Sequence, residues 1–147
     1  MMNSNKIFLI IIFLGAFLGI FLLGTFNKIE FSKVVLGEKT LNLEIVSSSS
    51  DRSRGLSERK LLPEDKAMLF VFPKEDFHGI WMKEMNFPID ILWLDEKFEI
   101  VDIKKDARPE SFPEVFKPKT KSLYVLEINA GFSEKEEIGV GQSLEFF

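Results

Sequence analysis

The chain has 147 residues, a net charge of −4 at neutral pH, no cysteine, and one histidine, His78. The absence of cysteine excludes disulfides, thiolate zinc sites and a cysteine nucleophile, and a single histidine excludes any site that needs two imidazoles. Basic and acidic residues are interspersed without a basic stripe, which argues against binding nucleic acid through phosphate neutralisation.

The first predicted element is a hydrophobic helix at Ile7–Phe26, twenty residues without a charge. At about 1.5 Å per residue this helix would be about 30 Å long, which matches the hydrocarbon core of a bilayer. A signal peptide has a shorter apolar stretch followed by small residues at a cleavage site, and no such triplet follows here. The absence of cysteine also excludes a lipid-anchored cleavage product. The sequence therefore predicts an uncleaved transmembrane anchor at residues 7–26, which makes the lipid bilayer a partner of the chain.

The anchor divides the sequence into a short N-terminal tail, residues 1–6, and a linker, residues 27–32, that leads to one domain at residues 33–147. One lysine precedes the helix and three follow it, a bias that taken alone favours a cytoplasmic domain. The tail is as short as in an export signal, however, and large domains cross membranes largely regardless of charge. We expect a single-pass membrane protein whose domain is extracytoplasmic.

The first half of the domain is predicted to hold a hairpin, a short helix and a buried strand. Lys33–Leu36 and Thr40–Val46 form the hairpin, because the second arm alternates apolar and polar residues. The serines that follow offer N-caps for a helix from Asp51 to about Glu58. Ala67–Phe72 is uniformly apolar, which indicates a strand buried on both faces, and Pro73 is expected to end it.

The middle of the domain is predicted to contain three short strands and one long loop. The strands are Ile80–Met82, Ile89–Leu94 and Phe98–Ile103, each bounded by turn-forming residues. Lys104–Ser122 contains three prolines with phenylalanines between them. We expect this segment to be an ordered loop, because its aromatic rings need apolar surroundings.

The last part of the domain adds a strand at Leu123–Asn129 and a final strand at Ser143–Phe147. Between them, Ser133 and Glu136 have the spacing of a capping box that opens one helical turn. Together these elements predict an α+β fold that is mostly β. We expect a compact β-barrel-like or sandwich domain of seven to eight short strands with two short helices.

Three segments of the domain carry motifs that occur together. They are RGLSERKLLPEDKAMLFVF at 54–72, WMKEMNFPIDILWLD at 81–95 and YVLEINAG at 124–131. In this order they resemble the uncharacterised bacterial and archaeal family called domain of unknown function 192 (DUF 192), over about residues 33–147. The residues that match the family pattern are Arg54, Gly55, Leu56, Arg59, Met68–Phe70, Trp81–Lys83, Asp90, Asp95, Tyr124–Glu127, Gly131, Gly139 and Gly141.

The chain departs from the family pattern in two places. Ala67 stands where the family usually has glycine, and Glu84 and Met85 stand where it usually has Asn-Thr. If the Asn-Thr pair binds a ligand in relatives, that interaction is altered here. The resemblance implies a compact, mostly β fold, often behind an export signal or anchor, and it implies no activity.

Asp90 and Glu127 are carboxylates in apolar strands. Alternation places Asp90 on the same face as two leucines of its strand, and Glu127 lies between apolar neighbours. A buried carboxylate is costly unless it is paired, and Arg54 and Arg59 on the short helix are the natural bidentate partners. The favoured interpretation is one or two ion pairs that lock the helix onto the barrel. The alternative is a polar cleft in which these residues bind a ligand.

Trp81, Lys83 and Asp95 complete the candidate cluster. Trp81 and Lys83 share a face if their segment is extended, and the indole would either stack on a sugar or peptide or, as we favour, plug one end of the barrel. Asp95 supplies a further carboxylate at a strand end. His78 fits a loop residue better than a general base. No cofactor fingerprint, calcium loop or metalloprotease motif is present, so neither a cofactor nor a metal is expected.

Three functions remain open at this stage. The favoured one is a membrane-anchored binding or accessory module for an unidentified ligand or protein of the cell envelope, without catalysis. The alternatives are an envelope hydrolase that uses two carboxylates from Asp90, Glu127 and Asp95, and a structural or assembly protein that pairs through a strand edge or Phe112 and Phe116.

Overall fold

The computed structural model describes residues 31–147, which form a mostly β domain with two short helices. The helices are α1 (Ser49–Arg54) and α2 (Phe132–Lys135), and a single 3₁₀ turn lies at Pro109–Ser111. The strands are β1 (Lys33–Leu36), β2 (Lys39–Val46), β3 (Lys66–Asp76), β4 (Ile80–Trp81), β5 (Ile89–Leu94), β6 (Ile100–Ala107), β7 (Val115–Phe116), β8 (Ser122–Asn129) and β9 (Glu145–Phe146).

Seven of these strands form one sheet in the order β6-β5-β8-β3-β2-β1-β9, and β4 pairs with β7 in a separate ribbon. Neighbouring strands are antiparallel except β2 and β3, which are parallel. The parallel pair needs a crossover, and the segment that makes it contains α1. Consequently α1 and the chain that follows it lie against the sheet rather than at its edge.

The two edges of the seven-stranded sheet are joined at one end. Glu99, just before β6, forms an antiparallel bridge with Ser143, just before β9. The backbone N–H groups of Ile100 and Leu144 extend this contact by donating to the carbonyl groups of Gln142 and Phe98 at 2.8 and 3.0 Å. The sheet is therefore a half-barrel, which agrees with the barrel-like fold predicted from the sequence.

Two faces of the central strands are both buried, which explains why β5 and β8 have no simple polar alternation. The front face carries Met68, Phe70, Ile91, Trp93 and Val125, and it is covered by residues outside the sheet. These covering residues include Leu56, Leu62, Ile80 and Met82. The back face carries Leu69, Leu92 and Leu126, which pair directly across three strands inside the half-barrel and are fully buried.

Several predicted element bounds need correction. Pro73 does not end β3, because the register with β8 shifts between Val71 and Asp76, and a proline is tolerated at such an irregularity. The segment 104–122 is not one loop: β6 continues to Ala107, and the 3₁₀ turn and β7 follow. The helix predicted at Asp51–Glu58 begins earlier and ends at Arg54.

The capping box predicted at Ser133 is also wrong. Gly131, in a left-handed conformation, occupies the N-cap position of α2, and no side chain caps this helix. The hydroxyl of Ser133 instead donates to the carboxylate of Asp90. The predicted anchor at residues 7–26 lies outside the described residues. Among residues 31–147 no helix has the length and apolar character needed to cross a membrane.

Candidate functional site

One row of residues crosses the front face and contains two carboxyl groups. Glu44 on β2 pairs with Met68 on β3, Met68 pairs with Glu127 on β8, and Glu127 pairs with Ile91 on β5. Directly opposed residues project to the same side of a sheet, so Glu44 and Glu127 share this face two strands apart, a spacing of about 10 Å.

Asp90 lies on the back face, because its cross-strand partner is Ile128 rather than Glu127. Its carboxylate is fully buried and accepts three hydrogen bonds: from the backbone N–H of Asp106 at 2.9 Å, and from the backbone N–H and hydroxyl of Ser133 at 3.0 and 2.6 Å. The prediction that an arginine pairs with Asp90 is therefore wrong. The carboxylate thus joins α2 and β6 to β5 through backbone and hydroxyl donors rather than through a cation.

Arg59 forms a bidentate ion pair with Glu44, a residue that was not among the predicted site residues. The two guanidinium nitrogens lie 2.7 and 2.5 Å from the two carboxylate oxygens. The hydrogen bonds lower the pKa of Glu44 and raise that of Arg59. Both side chains are more than one-third exposed, so this pair contributes modestly to stability. Arg59 therefore binds the neighbouring strand and not the buried carboxyl groups.

Glu127 is the unusual group of the front face. Its side chain is 4% exposed, and within residues 31–147 no hydrogen bond or ion pair reaches its carboxyl group. Burial raises its pKa to about 8, and the charge of Arg59 only partly offsets this effect. The carboxyl group is therefore mostly protonated at neutral pH, which is how a buried acid without a partner avoids the cost of an isolated charge.

Helix α1 is held close above the front face by the glycine that ends it. Ser48 caps the helix by accepting from the backbone N–H of Asp51 at 3.1 Å. Gly55 has φ +49°, and a Cβ atom at this position would lie 3.1 Å from the Cζ atom of Phe70. The Arg-Gly-Leu motif thus requires glycine both for the backbone conformation and for the close approach to the sheet.

The motif after α1 is tied to the motif after β4 by three hydrogen bonds. The hydroxyl of Ser57 donates to the carbonyl group of Lys83 at 2.9 Å, and the backbone N–H of Glu58 donates to that of Glu84 at 2.7 Å. The side-chain amide of Asn86 donates to the carbonyl group of Arg59 at 2.9 Å. Two of the sequence motifs that define the family resemblance therefore form one unit on the front face.

A cleft of about 300 Å³ lies between α1, β4 and the front face. Its base is the sheet, from which Glu127, Phe70 and Phe72 contribute to the lining, and Arg54 of α1 and Trp81 of β4 also line it. The remaining lining residues are Ser49, Arg52, Ser53, Gly55, Leu56, Ser57, Gly79, Ile80 and Met85. Met85 is one of the departures from the family pattern, so this departure falls within the cleft.

The ring of Phe72, which lines the cleft, packs against both Arg52 and His78. The guanidinium carbon of Arg52 lies 5.0 Å from the ring centroid, and the imidazole stacks on the ring at 3.5 Å. Arg52 also donates to the carbonyl groups of Ser47 and Val71. Burial lowers the pKa of His78, which therefore supplies a neutral stacking ring rather than a charge.

Trp81 does not plug the half-barrel. It is 46% exposed, and its ring makes an edge contact with that of Phe112, with ring centroids 6.4 Å apart. Lys83 Nζ lies 6.0 Å from the indole centroid and 3.9 Å from Glu84, and both side chains of that ion pair are exposed. Asp95 lies in a turn, where its carboxylate accepts from the backbone N–H groups of Lys97 and Glu99.

The structure brings together three of the seven candidate residues, Arg54, Trp81 and Glu127, around one cleft. Arg59 lies beside them, whereas Lys83 is outside the lining, Asp90 is on the other face, and Asp95 is in a turn. In the part of the chain that the structure describes, no three His, Asp or Glu side chains are arranged to hold a metal ion. Arg52 also lines the cleft, and nothing in the sequence indicated this except its position in the predicted short helix.

Comparisons with known proteins agree with this architecture. No functionally curated protein matches the sequence. The crystal structure of a proposed transcription regulator from Sinorhizobium meliloti 1021 is 28% identical, with a TM-score of 0.72 over 78% of this chain and 90% of that chain. The structure of a protein of unknown function from Novosphingobium aromaticivorans DSM 12444 is 24% identical, with a TM-score of 0.73 over 82% and 89% of the two chains.

The family comparison covers nearly all of the described domain. The profile of DUF 192, described as "Uncharacterized ACR", matches residues 32–146. This range contains all three motif segments, and the motifs of the first two meet at the cleft. The chain therefore belongs to the DUF 192 family.

Proposed function

We propose that this protein is a membrane-anchored binding or accessory module of the cell envelope, and that its ligand enters the cleft between α1 and β4. The observation that carries the proposal is the carboxyl group of Glu127, which is almost fully buried at the base of an open cleft and has no partner within the described domain. The carboxyl oxygens are not sealed from solvent, so a ligand in the cleft can reach an acid that no group of the described domain bonds. The exposed indole of Trp81 at the side of the same cleft supports this explanation.

The distribution of carboxyl groups favours binding over hydrolysis. Glycoside hydrolysis by the common mechanisms needs two carboxyl groups about 5–10 Å apart in one cleft. Asp90 faces the other side of the sheet, and Asp95 lies four residues beyond Ile91, about 13 Å along the strand. Glu44 is held by Arg59. Among residues 31–147, Glu127 is thus the one acidic group that lines this cleft, and no second carboxylate of these residues lines it.

A structural or assembly role is the remaining alternative. Phe112 and Val115 are exposed beside Trp81, so this end of the domain presents an apolar surface. Such a patch suits either a ligand or a second copy of the chain. Measuring the mass of the purified protein by light scattering separates these functions: we expect a monomer, and a stable dimer that Trp81→Ala disrupts would favour assembly.

The binding proposal is tested by a ligand screen on the full chain in detergent, read out by thermal unfolding through tryptophan fluorescence. The probes are short glycans, peptidoglycan fragments, peptides and divalent metal ions. A ligand of the cleft raises the melting temperature of the native protein and not that of Trp81→Ala. Substitution of Val140, which is exposed outside the cleft lining, is the matched control and should leave the response unchanged. A screen without any such response would contradict the proposal.

The membrane part of the proposal rests on the sequence of residues 7–26. We expect mass spectrometry of the membrane-bound protein to find the hydrophobic segment still attached, because no cleavage site follows it. A new amino terminus near residue 27 would contradict the anchor. Protease added to intact cells or spheroplasts should digest the domain if it is extracytoplasmic, and protection from protease would place the domain on the cytoplasmic side.

A further inference from the structure

The cleft combines a positive charge, several hydroxyl groups and one exposed aromatic ring. We propose that its ligand is a sugar acid, a polyhydroxylated ring with a carboxylate, in which Arg54 binds the carboxylate, Glu127 bonds a hydroxyl group at the base, and Trp81 packs on the ring. This inference rests on the proposed function and names the chemical class of the ligand.

The charge of the cleft selects an anion. Arg52 and Arg54 line it, and its acidic group, Glu127, is mostly protonated at neutral pH. Arg52 is already engaged by two backbone carbonyl groups and the ring of Phe72. Within residues 31–147 the guanidinium group of Arg54 has no hydrogen bond or ion pair, so it is the cation left to bind a ligand. A guanidinium group binds a carboxylate through two parallel hydrogen bonds.

The neutral polar groups of the cleft suit a ligand with several hydroxyl groups. Ser49 and Ser53 line it from α1, and a protonated Glu127 both donates and accepts at the base. The hydroxyl of Ser57 already donates to a carbonyl group, so it can only accept. A simple carboxylate such as acetate would satisfy Arg54 alone and leave the buried Glu127 without a partner.

The size of the cleft and the position of Trp81 suit a single ring. A volume of about 300 Å³ lies at the lower end of the range for small-molecule sites. The indole is 46% exposed, which leaves one of its surfaces available for an apolar ring face. The aromatic rings of Phe70 and Phe72 form the rest of the base.

The charged groups around Glu127 determine how binding depends on pH. The charge that acts on it is that of Arg59, in the segment after α1. Arg52 and Arg54 line the same cleft from α1, and Glu44 lies two strands away in the same row. The arginines stay charged over the accessible pH range, and Glu44 is held ionised by Arg59. Glu127 is thus the group that changes charge, and its ionisation would repel the carboxylate of the ligand.

The test is calorimetric titration of the full chain in detergent with D-glucuronate, D-glucose and acetate, at about pH 6.5 and about pH 9.5. We expect the native protein to bind glucuronate at least about tenfold more tightly than glucose or acetate. Arg54→Gln should bind glucuronate about tenfold more weakly than the native protein does. Arg108→Gln, at an exposed arginine outside the cleft, should change nothing. Raising the pH should weaken binding to the native protein about tenfold and leave Glu127→Gln unaffected, because glutamine keeps a donor and cannot ionise.

The outcomes separate the ligand class from the proposed function. If glucose, a peptide or a metal ion binds in a manner that depends on Trp81 and glucuronate does not, the cleft is a binding site and the sugar-acid proposal fails. If glucuronate binds equally well to the native protein and to Arg54→Gln, the assignment of Arg54 fails. If no probe binds, both proposals fail. Arg54 is exposed, so its variant remains a valid test even if Glu127→Gln does not fold.

Discussion

Replacing Glu127 with glutamine tests whether this carboxyl group is neutral in the folded domain. Glutamine has nearly the same shape and cannot ionise, so the substitution removes the cost of charging the site and keeps the packing. The pKa of Glu127 is about 8 in the folded state, against 4.5 for an ordinary glutamate. Between these values the folded state holds a proton that the unfolded state has lost. The free energy of unfolding therefore falls as the pH rises through this window.

The magnitude follows from the two pKa values. Between these two pKa values, each pH unit changes the free energy of unfolding by about 1.4 kcal/mol. Relative to acidic conditions, native Glu127 should lower the free energy of unfolding by about 3 kcal/mol at pH 7 and by about 5 kcal/mol above pH 8. Glu127→Gln should therefore match the native protein near pH 4.5 and be about 3 kcal/mol more stable at pH 7. Such a gain is typical of sites where a functional group is kept at the expense of stability.

Urea denaturation of residues 27–147 at several pH values measures this difference, because other titrating groups cancel between the native protein and the variant. Glu110→Gln, at an exposed glutamate of the 3₁₀ turn, is the matched control and should stay within about 0.5 kcal/mol of the native protein. A variant that is less stable than the native protein at pH 7 would contradict a neutral Glu127. It would show that Glu127 is ionised and held by a cation, as first expected from the sequence.

Three further predictions concern the frame around the cleft. Ser133→Ala and Asp90→Ala should each lower the free energy of unfolding by about 2–4 kcal/mol, and a double-mutant cycle should show strong coupling between them because the two side chains are hydrogen-bonded. The effects of Arg59→Ala and Asp90→Ala should instead add, because Arg59 binds Glu44 and not Asp90. Gly55→Ala should lower the free energy of unfolding by about 1–2 kcal/mol, because its φ is positive and the added methyl group meets an aromatic ring. Residues 27–147 should fold alone with a circular dichroism spectrum dominated by strand, since the core described above is internal to the domain; a mainly helical or unfolded spectrum would contradict this.

The sequence predicted the strands of the core well because their patterns are local. The bounds of β1 and β5 agree with the structure, and alternation placed Asp90 correctly on the face opposite Ile91. The choice of partners could not be predicted in the same way. Arg59 binds Glu44 because β2 and β3 are parallel neighbours, and this pairing joins segments that no local pattern connects.

The two carboxylates of the apolar strands illustrate the same limit. Both were recognised as buried, and both were assigned an arginine because a buried charge needs compensation. Asp90 is compensated by backbone and hydroxyl donors from β6 and α2, and Glu127 by retaining its proton. Sequence alone does not distinguish these solutions, because each depends on which distant segment covers the strand. The cleft forms where the motifs of segments 54–72 and 81–95 meet, and the order of the motifs along the chain did not indicate that they would meet.

A neutral Glu127 that binds the ligand is tested most directly by titrating its side chain, observed by ¹³C NMR of the carboxyl carbon in residues 27–147 with and without D-glucuronate. We expect a midpoint near pH 8 for the free domain. We also expect a higher midpoint with glucuronate, because a ligand that binds the protonated form raises the pKa. A midpoint near 4.5, or one that glucuronate leaves unchanged at saturating concentration, would contradict a neutral Glu127 that binds the ligand at the base of the cleft.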